Sequence, residues 1–250
     1  MTGPAELWVC NLQTIEYRAA LALQERVRAA RQQNLIADTL LLLEHPPVYT
    51  RGRRSDAREL PMGEQWYRSQ GIDIVDTDRG GKLTYHGPGQ LVGYPIMRID
   101  DVIAYLRTME QAIVAALGEA GLPTHARPDD GPDFTGVWTQ ANRKIASIGV
   151  HVARGVTTHG FAINVQNDLQ PFDWVVACGL DEVQMTSVIR ETGAASETLP
   201  LPAVRASMTA RFAEAFELSP RAVDLPALLA ELDGMPSTAA VDPPRPVAGR

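Results

Sequence analysis

The chain has 250 residues, 45% hydrophobic and 21% charged, which fits one large or two small globular domains with a sizeable core. Its 30 acidic and 23 basic side chains leave a formal charge of −7, which argues against a general nucleic-acid binder but leaves room for a local basic patch. The longest apolar run, Ala112–Leu117, is far short of the roughly 20 residues a membrane helix needs.

At the N-terminus, Met1–Cys10 carries Glu6 and no basic-then-apolar leader pattern, so a cytoplasmic location is expected. Leu7–Leu12 reads as a short strand. A helix is expected from about Thr14 to Arg31, with Ile15, Ala19, Leu23 and Val27 on one face. Thr39–Leu43 reads as a buried strand, stopped by Glu44-His45-Pro46-Pro47. Further strands fall at Gly71–Val75, Leu83–Tyr85 and Leu91–Ile99, the last two separated by the turn at Gly87–Gly89. The clearest helix runs from about Asp101 to Leu117, capped by Asp100 or Asp101. Its apolar face carries Ile103, Leu106, Ile113, Val114 and Leu117, with Glu110 as the polar intruder.

Arg143–Gln166 reads as a β-hairpin turning at Ala153–Val156, and Thr192–Pro202 as a linker. Next come a helix with Val204, Met208, Phe212 and Phe216 at four-residue spacing and a short one over Pro226–Leu232. The expected organisation is one folded domain over 1–233 and a proline-rich, disordered tail over 234–250. Strands and helices mix without strict βαβ alternation. The expected class is therefore α/β (α+β), a mixed or antiparallel sheet flanked by helices.

The densest unusual segment is Arg79-Gly80-Gly81-Lys82-Leu83-Thr84-Tyr85-His86-Gly87-Pro88-Gly89-Gln90. Its glycines let another molecule approach the main chain, yet they also suit a hairpin connection with a solvated rim. It is neither a P-loop nor a dinucleotide fingerprint. Cys178, in Trp174-Val175-Val176-Ala177-Cys178-Gly179-Leu180, reads as a small core residue or as a thiol left at the end of an element by Gly179. Cys10, inside the first strand, keeps the core reading, and two cysteines are too few for a disulfide framework or a four-thiolate zinc site.

Lys144 begins an otherwise small and apolar strand, as an edge gatekeeper or as a placed cation. Ser147, Gly149, Gly160 and Ala162 share a hairpin face and leave a shallow trough for an extended ligand. Strict alternation sets Lys144 on the opposite face, so either a bulge re-aims it or the reacting groups meet at the strand end. Of the five histidines, none with metal-ligand spacing, His86 stands out by its glycine neighbours. The others suit hydrogen-bonded structural roles. Arg51, Arg53, Arg54 and Arg58 form a local basic cluster, either a solvated loop or a surface that steers an acidic partner.

As an ordered set these strings resemble the lipoyl(octanoyl) transferases of the biotin/lipoate protein ligase superfamily. The matching pieces are Glu44–Thr50, Arg79–Gln90, Gly136-Val137-Trp138, Arg143–His151, Thr158–Asn164 and Ala177–Leu180. The resemblance covers about residues 5–220 and excludes the tail. It implies a biotin/lipoate ligase-like catalytic domain that moves an octanoyl group from acyl carrier protein to a lysine of lipoyl domains. The implied acceptors are the 2-oxoacid dehydrogenases and the glycine-cleavage H protein. It also implies Cys178 as the acyl-thioester nucleophile and Lys144 as its partner. The acyl-site wall would comprise Arg79, Gly80, Gly81, Lys82, Leu83, Thr84, Tyr85 and His86, with Ser147, Ile148 and Gly149, and Gly160, Phe161 and Ala162.

Such chemistry needs no cofactor, metal or ATP, because a thioester is already activated. An adjacent ammonium favours the attacking thiolate, and Lys144 could later handle the proton of the incoming amine. Backbone N–H groups of the glycine loop or of Gly179 could hold the oxyanion. The competing readings are an ATP-dependent ligase of the same superfamily and a non-catalytic acyl-binding protein. The ligase would have no need for Cys178, and in the acyl-binding protein the Cys178–Lys144 pair would have no function.

Overall fold

The computed structural model describes residues 4–175, 183–193 and 201–234. Cys178, the 194–200 stretch of the expected linker and all but the first residue of the expected tail lie outside them. Two sheets are built from the described strands. β1 (Glu6–Thr14), β2 (Asp38–Glu44), β6 (Gln90–Ile96), β7 (Thr124–Ala126), β8 (Gly136–Thr139), β9 (Lys144–Ala153), β10 (Val156–Asn164) and β11 (Ser219–Ala222) form the larger sheet, in the order β11-β1-β2-β6-β10-β9-β8-β7. β1 runs parallel to β2 and to β11, and the other neighbours are antiparallel. A smaller sheet holds β3 (Val48–Arg51) between β4 (Asp73–Asp76) and β5 (Thr84–His86). The mixed sheets flanked by helices match the expected class.

Both faces of the larger sheet are covered, which explains why β2 is almost wholly aliphatic. Leu40 and Leu42 face a core under α3 (Val102–Glu119) and α6 (Leu201–Ala215). Leu41 and Leu43 face a second core under α1 (Tyr17–Gln32) and α7 (Leu225–Asp233). The parallel β1–β2 pair needs a crossover, and α1 supplies it. β9 and β10 meet at Arg154-Gly155, both at positive φ (49° and 73°). That backbone matches the strand twist in a two-residue hairpin.

Several boundaries differ from the sequence reading. β1 continues to Thr14, paired with Glu44 past a bulge, so α1 begins at Tyr17, with the Glu16 carboxylate capping Ala19 N–H. Ala19 is exposed, and Tyr17 and Ala20 are buried instead. The strand expected from Gly71 starts at Asp73, because Gly71 and Ile72 close α2 (Glu64–Ser69) through Arg68 and Tyr67 carbonyls. α3 is capped by Asp101, but its buried face is Tyr105, Met109, Ala112, Ile113, Ala116 and Leu117, and Ile103 lies 63% exposed. Thr192 ends α5 (Val188–Thr192) and α6 starts at Leu201, so the expected linker is shorter than Thr192–Pro202.

Candidate functional site

A cleft opens between the α1 face of the large sheet and the segment that leads into β5. It encloses about 610 Å³ of empty space, its open mouth included. β9 and β10 make its floor. Ser147 pairs with Ala162 and Gly149 with Gly160, and all four line the cleft together with Ile148. Phe161 borders it too, although its ring is buried in the core beneath α3 and lies over Gly93. The other wall carries Arg79, Gly81, Lys82, Leu83, Thr84 and His86. Two expected wall residues are not part of the lining. Gly80 is turned to β9, its N–H bonded to the Val150 carbonyl at 2.9 Å. The Tyr85 ring packs against Tyr49 and against Phe172 of α4 (Gln170–Asp173) in the core of the small sheet.

The glycines of this wall serve main-chain packing as much as ligand access. A Cβ on Gly149 would lie 2.9 Å from the Gly80 carbonyl oxygen, and one on Gly52 would lie 2.5 Å from that of Gly81. The loop is fixed from several sides: Arg53 and Arg54 N–H bond to the carbonyls of Arg79 and Gly81, and the Glu59 carboxylate accepts from Leu83 N–H. Arg79 clamps Thr50 through its carbonyl and hydroxyl at 2.6 and 2.8 Å. The N–H groups of Gly80 and Leu83 are therefore committed, which removes them from the expected oxyanion donors.

Lys144 also lines the cleft and is 2% exposed. The face problem is solved by a bulge. Val137 pairs with Ala146 but Trp138 with Lys144, so Ile145 has no residue opposite it. Ile145 and Ala146 both turn into the core under α3, while Lys144 and Ser147 both reach the cleft. The Lys144 ammonium lies 5.2 Å from the Trp138 ring centroid, a cation–π contact. Its main chain bridges Met185 in parallel, with N–H to the Gln184 carbonyl at 2.8 Å and its carbonyl accepting from Thr186 N–H at 2.9 Å. Glu191 reinforces this junction: it takes both hydrogen bonds of a bidentate Arg143 at 2.7 Å and one from the Thr186 hydroxyl.

Beneath the cleft lies a buried polar layer. Tyr17, Tyr94 and His159 also line the cleft, as do Thr135 and the Arg54–Asp133 ion pair (2.8 Å) across its mouth. Arg54 stood out in the sequence only as part of the basic cluster, and the set comes from five separate segments. For His159 the available signal was its glycine neighbour. Its own backbone sits at φ +59°, uncommon for a non-glycine residue. His159 Nε2 lies 2.8 Å from Asp78 and its Nδ1 3.4 Å from the Tyr17 hydroxyl. His45 bonds the Ile15 carbonyl through Nδ1 and the Tyr94 hydroxyl through Nε2, both at 2.6 Å. His86 is bonded to Gln90, which continues to Asn164 and from there to the Thr186 carbonyl. The expected structural roles of His45 and His159 hold, and His86 both lines the cleft and anchors this chain.

Burial holds these imidazoles neutral. It pushes His45 down to about 4 against the opposing Ile15 hydrogen bond. Burial, helped by His45, lowers His86, and burial lowers His159 despite its bond to Asp78. Because the folded pKa of His45 is depressed, the unfolded chain binds the extra proton. Stability is fully present above about pH 6.5 and is lost as pH falls toward 4, by up to about 3 kcal/mol for His45 alone. His86 and His159 act in the same direction. The urea midpoint should therefore drop between about pH 7.5 and 5; a flat midpoint over that range would refute the neutral-histidine layer.

Three of the four clustered arginines are ion-paired, and Arg53 is exposed. Arg51 pairs with Glu64 and Asp76, Arg54 with Asp133 and Arg58 with Asp56. Cys10 is fully buried, as expected, and burial followed by the Asp224 charge pushes its thiol up to about 11.

The cleft, lined by glycines and by the buried Lys144, is set on a two-faced mixed sheet. The lipoyl protein ligase A/B catalytic domain matches residues 16–213. The chain is 44% identical over 211 residues to an octanoyltransferase of Solibacter usitatus, covering 83% of this chain and 91% of that one. It is also 44% identical over 214 residues to an octanoyltransferase of Mycobacterium tuberculosis, covering 84% and 86%. In structure it is similar to a lipoate-protein ligase A bound with ATP (TM-score 0.71, 19% identity, 92% and 95% covered). A bi-partite lipoate protein ligase from Thermoplasma acidophilum gives a TM-score of 0.69 at 17% identity, with 93% of each chain covered. The chain belongs to the lipoyl protein ligase A/B catalytic-domain family, and within it to the octanoyltransferases.

Proposed function

We propose that this enzyme takes its octanoyl group from octanoyl-acyl carrier protein, holds it on Cys178 as a thioester, and delivers it to a lysine of lipoyl domains. The acceptors are those of the 2-oxoacid dehydrogenases and the glycine-cleavage H protein, and the reaction runs in the cytoplasm on a catalytic domain spanning 1–233. In the first half, the Cys178 thiolate attacks the carrier thioester and expels the carrier thiolate. In the second, the acceptor amine attacks the acyl-enzyme, and the Cys178 thiolate leaves. As an ammonium, Lys144 stabilises the Cys178 thiolate and gives its proton to the departing carrier thiolate. The resulting amine then takes the proton that the attacking acceptor nitrogen gives up, which restores the ammonium as the Cys178 thiolate leaves.

The observation that carries this reading is the bulge at Ile145, which turns Lys144 into the cleft while its main chain bridges Met185. Cys178 precedes Met185 by seven positions on the same segment. The chain on the other side of Cys178 is held as well: the Tyr67 and Tyr49 hydroxyls donate to the Trp174 and Pro171 carbonyls. The cleft would take the C8 chain, with roughly 0.8 kcal/mol gained per buried methylene.

The test is incubation of the purified protein with octanoyl-acyl carrier protein, without ATP, followed by intact-mass measurement and peptide mapping. One octanoyl group on Cys178, chased onto an added lipoyl domain, is the expected result. Absence of the adduct, or transfer that depends on ATP, would overturn the reading. Thiol alkylation at neutral pH should mark Cys178 and spare Cys10, whose raised pKa keeps it protonated.

A further inference from the structure

We infer that Glu110 is a positioning residue for Lys144, acting through the main chain of Gly136. It sits mid-helix on the buried face of α3, next to Met109 and Ile113, and is itself fully buried. A carboxylate there is costly unless its hydrogen-bonding capacity is used. One oxygen accepts the Gly136 N–H at 2.9 Å, and the other pairs with Arg107 at 2.5 Å.

Gly136 is the first residue of β8, the strand opposite the Lys144 bulge. Its φ of +134° is one that side-chain-bearing residues rarely adopt. A Cβ at Gly136 would lie 2.3 Å from the Ala146 carbonyl oxygen and 3.1 Å from Lys144 Cε. The bare α-carbon of Gly136 is thus the surface on which the lysine stem rests, and Trp138, two residues on, supplies the ring its ammonium faces. Glu110 is the side chain that fixes where that surface lies. If the start of β8 drifts, the lysine moves, while the cleft wall from Arg79 to Leu83 is held by contacts that do not involve β8.

This inference rests on the catalytic reading of Lys144, and the variants are chosen to separate the two. Glu110→Asp keeps the charge but withdraws the acceptor by one methylene; Glu110→Gln loses the charge but keeps an oxygen within reach of Gly136 N–H. If the acceptor matters, Glu110→Asp lowers kcat roughly 10- to 100-fold with KM for the octanoyl donor nearly unchanged, since a shift of about 1 Å at a reacting group costs that much. Glu110→Gln recovers most of that loss, and the pH–rate profile moves in the Asp variant but not in the Gln variant. A role confined to stability predicts lowered melting temperatures with kcat per folded molecule and pH profile unchanged.

Both proteins are measured by steady-state transfer and by thermal unfolding, with rates scaled to the folded fraction. Glu110→Asp with wild-type kcat per folded molecule, or Glu110→Gln as impaired as Glu110→Asp, overturns the inference. Should Glu110→Asp fail to fold, Glu110→Met, of similar size but without an acceptor for the Gly136 N–H, takes its place: a kcat per folded molecule well below that of Glu110→Gln upholds the acceptor role, and equal values for the two refute it. Wild-type transfer by Lys144→Ala would instead show that the catalytic reading itself has failed.

Discussion

Lys144→Ala should lower octanoyl transfer by about 10²–10⁴-fold, the range over which a positioned acid–base group acts. Lys144→Arg should not restore it, because a guanidinium stays charged and cannot accept the amine proton. The fold should survive both changes. The strand start is held by main-chain bonds to Gln184 and Thr186 and by the Arg143–Glu191 pair, none of which uses the lysine side chain. Cys178→Ser should give the larger loss and should also abolish the octanoyl adduct, since a serine hydroxyl is far less ionised than a thiol at neutral pH. The check is transfer from octanoyl-acyl carrier protein to a lipoyl domain, with circular dichroism as the control for folding. Turnover close to wild type in either alanine or serine variant removes that residue from the mechanism.

Gly160→Ala is expected to be the most damaging small substitution in the cleft floor. The added methyl would lie 2.2 Å from the Gly93 carbonyl oxygen and 2.5 Å from Pro95 Cδ. Both belong to the adjacent strand β6, so neither can swing aside as a flexible side chain would. Prising β10 from β6 should cost at least about 3 kcal/mol, a fall in Tm of roughly 6–12 °C for a domain of this size. Gly118→Ala is the matched contrast. That glycine lies within α3 with nothing within 4 Å of the added methyl. Alanine there should raise stability by about 0.5–1 kcal/mol through helix propensity. Equal melting temperatures for the two variants would show that the β6–β10 approach is not as tight as the structure has it.

The same glycines show how a sequence motif can carry two meanings. From the residues alone, Ser147, Gly149, Gly160 and Ala162 describe a trough for a ligand. In the folded molecule Gly149 admits the Gly80 carbonyl and Gly160 admits that of Gly93, while the face they leave bare still lines the cleft. Small side chains there satisfy packing and access together, and a mutation will report on both.

Much of the architecture was legible in the chain. β2 announced itself as an unbroken aliphatic run because both faces are buried, the β9–β10 hairpin by its length and its Arg154-Gly155 turn, and α3 by its cap at Asp101. Short elements whose residues are chosen by tertiary neighbours, such as β3, β7 and β11, carry no period long enough to read. The ordered motifs identified the family, and with it the two residues proposed to react. Periodicity also marked Glu110 as out of place on an apolar helix face without saying what it served.

What only the tertiary structure decided is orientation and company. One unpaired residue, Ile145, reverses the face on which Lys144 emerges, and a single-residue bulge leaves no trace in a pattern of period two. The buried layer of Tyr17, His45, His86, Tyr94 and His159 draws its members from positions spread over more than half the chain. Their common environment exists only once α1, β5, β6 and β10 have packed. Local chemistry fixes which groups are available. Long-range packing fixes which of them face one another, because each such contact depends on the positions of several strands at once.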